Sequence, residues 1–157
     1  VKRATAIAVG LAVVVVGALV LVLGSSPTGA GTPTPVADLA AITGTWQATD
    51  DSKAPAPLVA PVRITFAANG LFVETGCNTG RAPAHLESSV LVTEALIMTR
   101  RACEPEPTAQ EQWVVEMLES RPSVGLAGGT ELHLEWGSSS LVLTLVPDAP
   151  EGTAPRV

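Results

Sequence analysis

Few side chains in this chain are able to do chemistry, and most of them stand apart. Cys77 and Cys103 are the only thiols. They lack the CxxC spacing of a redox pair and no histidine cluster accompanies them, which argues against a catalytic or metal-binding role. In an oxidising compartment they are expected to form a structural disulfide, and closing the intervening loop adds roughly 3–4 kcal/mol by restricting the unfolded chain. Two free buried thiols are the remaining alternative. His85 and His133 are the only histidines. His133 lies between Glu131 and Glu135, a spacing that puts three ligand-type side chains on one face of a strand. Zinc takes three or four well-placed ligands, whereas carboxylates alternating along a solvated strand are common, so no metal site is assigned. His85 near Glu87 is a weaker candidate. The serines at 138–140 lack a nucleophile elbow and read as a turn. Arg100 and Arg101 form a small basic spot, read as solvated or salt-bridged. Without a convergent polar constellation, neither an enzyme nor a cofactor is expected.

The chain around these residues is uneven. Its hydrophobic content of 46% conceals a run at residues 4–23 that carries no charge and consists almost wholly of Ala, Val, Leu, Ile and Gly. As a helix this run is about 30 Å long, the thickness of a bilayer's hydrocarbon core. Lys2 and Arg3 precede it and the next basic residue is Lys53. That asymmetry puts the N-terminus in the cytoplasm and the rest outside. The expectation is a single-pass cell-membrane protein that meets the lipid bilayer through residues 4–23. The alternative is a signal segment cleaved near Gly29-Ala30, with secretion of the remainder. A run longer than the usual signal core favours retention. Residues 24–37, rich in Pro, Gly, Ser and Thr, read as a flexible linker. Residues 147–157 read as a disordered tail. Lys2 and Arg3 are two of nine cations, which leaves seven against 15 carboxylates beyond residue 24. Such a surface disfavours nucleic acid and flat adsorption onto anionic lipid. The aromatics are Trp46, Trp113, Trp136, Phe66 and Phe72, so the core must be mostly Val and Leu.

Residues 62–75 read as a hairpin turning at Asn69-Gly70, a pair that tolerates positive φ. A turn there pairs Ala68 with Leu71, Phe66 with Val73, Ile64 with Thr75 and Val62 with Cys77. Phe66 and Val73 then share one face and Phe72 takes the other. Leu132, Leu134 and Trp136 alternate with Glu131, His133 and Glu135. A loop at 137–140 follows, then Leu141, Leu143 and Leu145 alternate with Val142, Thr144 and Val146, giving a second hairpin packed on one side. Between them, Thr108 and Glu111 form a capping box with Pro107 just ahead. Ala109, Trp113 and Met117, flanked by Val114 and Leu118, make an apolar stripe at helical period, and Pro122 stops the helix. Glu106 and Glu111 suit its positive end. Residues 86–99 fit helix and strand equally well.

Gly44-Thr45-Trp46-Gln47, Ile64-Thr65-Phe66, Asn69-Gly70, Gly76-Cys77-Asn78 and the Thr99 to Cys103 segment occur in an order and spacing that resembles the META domain family, also called HslJ-like. The segment from Glu111 to Leu118 and the closing strands at 132–146 continue the match, which covers residues 38–146. The resemblance implies a mainly β fold: a small curved antiparallel sheet or partly open β-barrel with one packed α-helix, preceded here by the N-terminal hydrophobic helix. It makes residues 91–98 mostly strand. It also gives Gly44, Trp46, Phe66, Gly70, Gly76 and Asn78 structural roles, with Asn78 tying down a turn and Gly76 supplying permissive backbone angles. Members are typically bacterial envelope proteins, often lipoproteins. Some are linked to heat shock or antibiotic tolerance, others share a shape with secretion pilot proteins, and no enzymatic activity is established among them. This chain has no cysteine placed for a lipid anchor, so the hydrophobic segment takes over that job. The function expected is a non-enzymatic envelope domain that binds a protein or peptide, or maintains the envelope under stress. The runner-up is a carrier of a small apolar ligand, in a barrel not filled by Phe66, Val73, Trp136 and Leu143.

Overall fold

The computed structural model describes residues 31–147; the expected membrane segment, its cleavage site and all but the first residue of the expected tail lie outside them. Strand β1 is Thr34–Pro35, and a short 3-10 helix follows at Leu39–Ile42. Next come β2 (Gly44–Lys53), β3 (Arg63–Ala67), β4 (Gly70–Glu74), β5 (Thr79–Glu87), β6 (Val90–Thr93) and β7 (Ile97–Met98). Helix α1 (Pro105–Glu119) leads to β8 (Ser123–Ala127), β9 (Glu131–Trp136) and β10 (Ser139–Val146).

Eight of these strands pair antiparallel in the order β8-β6-β5-β4-β3-β2-β10-β9, and β9 pairs back to β8. The barrel is therefore closed, where the resemblance left it partly open. Its thinnest seam is β6–β8, held by the Val90–Ser123 pair with Leu91 N donating to Pro122 O at 2.9 Å and Val124 N to Ser89 O at 2.7 Å. Alternation puts Ile64, Phe66, Leu71, Val73, Leu132, Leu134, Leu141 and Leu143 inside, each at most 4% exposed. Trp113, Val114, Met117 and Leu118 of α1 join the same core. Thr93 Oγ1, donating to Leu118 O at 2.9 Å, ties the end of the helix to β6.

Helix α1 begins at Pro105, not at Thr108 as the capping box predicts. Pro105 stands at the first helical position, where a missing N–H costs no bond. Thr108 Oγ1 donates to Glu104 O at 2.9 Å. The buried stripe is Gln110, Trp113, Val114, Met117 and Leu118, and Ala109 faces solvent.

The first hairpin also differs in register. Ala67 pairs with Gly70, Phe66 with Leu71 and Ile64 with Val73, so the loop is Ala68-Asn69. The offset preserves the faces: Phe66 and Val73 still point inward and Phe72 outward. Neither Asn69 nor Gly70 takes positive φ. Gly70 is needed for a different reason, since a Cβ there sits 2.7 Å from Ala82 O of β5. A two-residue turn with positive φ at both positions links β5 to β6 instead, at Ser88 (φ 50°) and Ser89 (φ 66°). In the second hairpin Trp136 pairs with Ser139, which shortens the expected loop to Gly137-Ser138. Of residues 91–98, which the resemblance makes mostly strand, 91–93 belong to β6 and 97–98 form β7, with 94–96 outside any strand between them.

The end of the expected linker is folded. Thr34 pairs with Leu126 and Pro35 with Gly125, Val36 N donates to Val124 O at 3.1 Å, and Val36 is 5% exposed. Gly125 makes room for this strand, since a Cβ there lies 2.8 Å from Pro33 Cβ. No helix among the described residues is long and apolar enough to cross a membrane.

Candidate functional site

Gly76-Cys77-Asn78, the segment from Thr99 to Cys103 and Glu111 converge on a polar knot where β4 ends. Cys77 and Cys103 are joined, with 5.9 Å between their Cα atoms, tying the turn after β4 to the segment that precedes α1. Asn78, 6% exposed, accepts at Oδ1 from Arg101 N at 2.7 Å and Thr99 Oγ1 at 2.9 Å. Its Nδ2 donates to Arg101 O at 3.2 Å. Glu111 Oε2 accepts from Asn78 N and Thr75 Oγ1, both at 3.0 Å. Arg100 and Arg101 are both exposed, and Arg101 is bonded into the knot because its Nη2 donates to Cys77 O at 2.6 Å.

Gln110 is the part of this knot that the sequence reading missed. It is 2% exposed. Its Oε1 accepts from Val59 N at 2.7 Å and Ala60 N at 3.3 Å. Its Nε2 donates to Ala60 O at 2.9 Å and Thr75 O at 2.7 Å. One side chain thereby fastens the loop before β3 to the end of β4. The available signal was its place three and four residues ahead of Trp113 and Val114, on their face of the helix. Gly76 (φ +88°) passes directly over it: a Cβ there lies 2.5 Å from Ala60 Cβ and 2.8 Å from Gln110 Nε2. Asn78 and Gln110 both spend their amides on internal bonds and leave nothing directed at a substrate. Gly44 (φ +129°) approaches Leu145. Trp46 Nε1 donates to Ile42 O at 2.8 Å, and Phe66 is 1% exposed in the core.

The histidines form two separate pairs. His133 Nε2 lies 2.7 Å from Glu131 Oε1, and Glu135 stays outside that contact. His85 Nε2 lies 3.1 Å from Glu87 Oε1, whose other oxygen is 2.6 Å from Arg121 Nη2. The His85 hydrogen bond is the largest influence on the Glu87 carboxyl and, with the smaller help of the Arg121 charge, holds it below its ordinary value against the opposing desolvation. Among the described residues no three His, Cys, Asp or Glu side chains group to hold a metal ion.

The outer barrel wall is different. Strand register sets Thr65, Phe72, Arg81 and Ile97 in one row across β3, β4, β5 and β7. Phe72 is 43% exposed and Ile97 64%. They border a groove of about 540 Å³ whose walls include Ala67, Gly70, Arg81 and Pro83. A hollow of about 220 Å³ continues along Phe72, Gly80, Ile97 and Thr99. Strand β7 pairs with β5 alone among the described strands. Another groove, about 460 Å³, runs between Pro33, Pro35, Ser88, His133 and Glu135. Inside the barrel, Phe66, Val73 and Leu143 are at most 1% exposed. Trp136 stacks on Trp113 with ring centroids 6.3 Å apart.

A sequence model of the META domain matches residues 37–148. The chain is similar in fold to a protein from Burkholderia xenovorans solved by NMR, with a TM-score of 0.60 and 19% identity, over 79% of this chain and 97% of that one. A second NMR structure of a protein aligns with a TM-score of 0.53 and 22% identity, over 65% of this chain and 88% of the other. At such identities the likeness concerns the fold alone. No curated protein matches the chain.

Proposed function

We propose, since this chain belongs to the META domain family, that it is a non-enzymatic domain held outside the cell membrane by residues 4–23, which docks an envelope protein or peptide on the outer wall of β3, β4, β5 and β7. One observation carries the reading. The inward side chains are spent on the core and the buried amides on internal bonds, while Phe72 and Ile97 remain exposed beside a groove. Exposed large apolar side chains grouped around a cleft are a common mark of a binding face. The carrier reading loses support, because Phe66, Val73 and Leu143 occupy the barrel interior. The disulfide agrees with an oxidising, extracytoplasmic setting. Cleavage near Gly29-Ala30 would release the same domain with the same face, and maintenance of the envelope under stress would act through whatever docks there.

The test places a photo-crosslinking residue at position 72 of the full chain in cells, with position 144, exposed on the outer face of β10, as the control. The expected outcome is a discrete adduct from position 72 and none from 144. Equal labelling at both positions, or none at either, removes the reading.

A further inference from the structure

We infer that the groove beside Phe72 and Ile97 takes an extended polypeptide segment whose carboxylate, flanked by apolar side chains at alternate positions, is read by Arg81; this rests on the docking face proposed above. The domain beyond residue 24 has seven cations against 15 carboxylates, yet among the described residues no carboxylate forms an ion pair with Arg81. Other arginines have partners: Arg63 Nη1 lies 3.7 Å from Glu74, Arg121 Nη2 2.6 Å from Glu87, and Arg101 Nη2 2.6 Å from Cys77 O. Arg81 is exposed and joins no ion pair among the described residues, and Arg100, two residues beyond β7, is in the same state. Cross-strand pairing puts Arg81 between Phe72 and Ile97, and directly opposed residues stand about 5 Å apart. The site is thus the reverse of its surroundings: an uncompensated guanidinium between two exposed apolar side chains, on an acidic domain.

The complement of that arrangement is a carboxylate with apolar neighbours. A guanidinium takes a carboxylate in a two-bond fork, and the apolar neighbours cover Phe72 and Ile97. The geometry along β5 selects an extended segment. Pro83, Arg81 and Thr79 follow one another on the outer face at every second residue, the repeat at which a strand presents its own side chains. An anionic bilayer would offer negative charge as well, but the excess of carboxylates over the rest of the domain opposes flat adsorption.

The test titrates the full chain with the fluorescent peptide Ser-Ser-Val-Ser-Glu-Ser-Leu-Ser-Ser and with its Gln and Lys counterparts, read by polarisation. The Glu peptide is expected to bind saturably and at least about fivefold more tightly than the Gln peptide. Arg81→Glu should reverse the preference toward Lys, and Phe72→Ser should abolish binding. Arg121→Gln, outside the groove, should leave binding unchanged, and an unaltered unfolding midpoint shows that each variant is folded. Equal binding of the Glu and Gln peptides, binding of none of the three, or saturable binding confined to phosphatidylcholine vesicles with about one-quarter phosphatidylglycerol overturns the inference. If position 72 still yields its adduct after such a result, the docking face stands and its charge preference falls. With no adduct either, both fall.

Discussion

Replacing Gln110 by Met keeps the length of the side chain and removes all four of its hydrogen bonds, so it measures what the polar knot contributes. Thr75 is 0% exposed, and its carbonyl would lose the Gln110 donor without access to water. A buried acceptor stranded in this way costs roughly 1–3 kcal/mol. Val59 is 52% exposed, so the amides of the loop there can turn to water, and their lost bonds cost about 0.5–1 kcal/mol each. Burial of a thioether in place of an amide returns about 1 kcal/mol. The net expectation is a loss of about 1.5–5 kcal/mol, a large fraction of the ~5–15 kcal/mol that holds a domain of this kind together. Urea unfolding followed by the fluorescence of Trp46, Trp113 and Trp136 reads it as a lower midpoint at unchanged slope. Gln110→Glu supplies the control. One carboxyl oxygen still accepts from Val59 N, but the other faces Ala60 O and Thr75 O and can donate only when protonated. Burial and those carbonyls raise the folded-state pKa above the unfolded one. The folded state then holds the extra proton in the window between the two values, so stability falls as pH rises through it, by up to about 1.4 kcal/mol per unit. A Met variant that loses under about 1 kcal/mol, or a Glu variant whose deficit does not shrink on acidification, would refute the argument.

Gly76→Ala should lower stability by about 2–4 kcal/mol in a thermal melt, because the new Cβ meets Ala60 and Gln110 at a left-handed φ. Changing Ser88 to Asn together with Ser89 to Gly should raise the urea midpoint by an amount worth about 0.5–1 kcal/mol, since both positions hold positive φ in a two-residue turn; a fall would mean that the serines themselves stabilise the turn. The double change Cys77→Ser with Cys103→Ser should cost roughly 3–4 kcal/mol, and the mass of the native chain should rise by the two thiol hydrogens on reduction.

Much of the fold was legible because it is local. The inward set of the second hairpin follows from strict alternation, and the helix from the spacing of Trp113, Val114, Met117 and Leu118. Three of the differences share one cause. Gly70 reads as a turn glycine, yet its lack of a side chain matters to β5, more than ten residues away in sequence. Ala109 and Gln110 are adjacent, and which of them faces inward depends on the carbonyls that await the amide, those of Ala60 and Thr75. Thr34 and Pro35 carry no strand signal of their own and are ordered because β8 offers them an edge next to Gly125.

Residue order alone was enough to establish the family, the inward faces of both hairpins, the helix and the two cysteines that could pair, since periodicity and motif spacing are written along one dimension. Closure of the barrel through β8 and β9, the two-residue offset at Ala68-Asn69, the burial of Gln110 and the exposed position of Arg81 between Phe72 and Ile97 came from the packed molecule. Each of these depends on which distant backbone lies alongside, and the free energy of such a neighbour exists once the chain has brought it within a few ångströms.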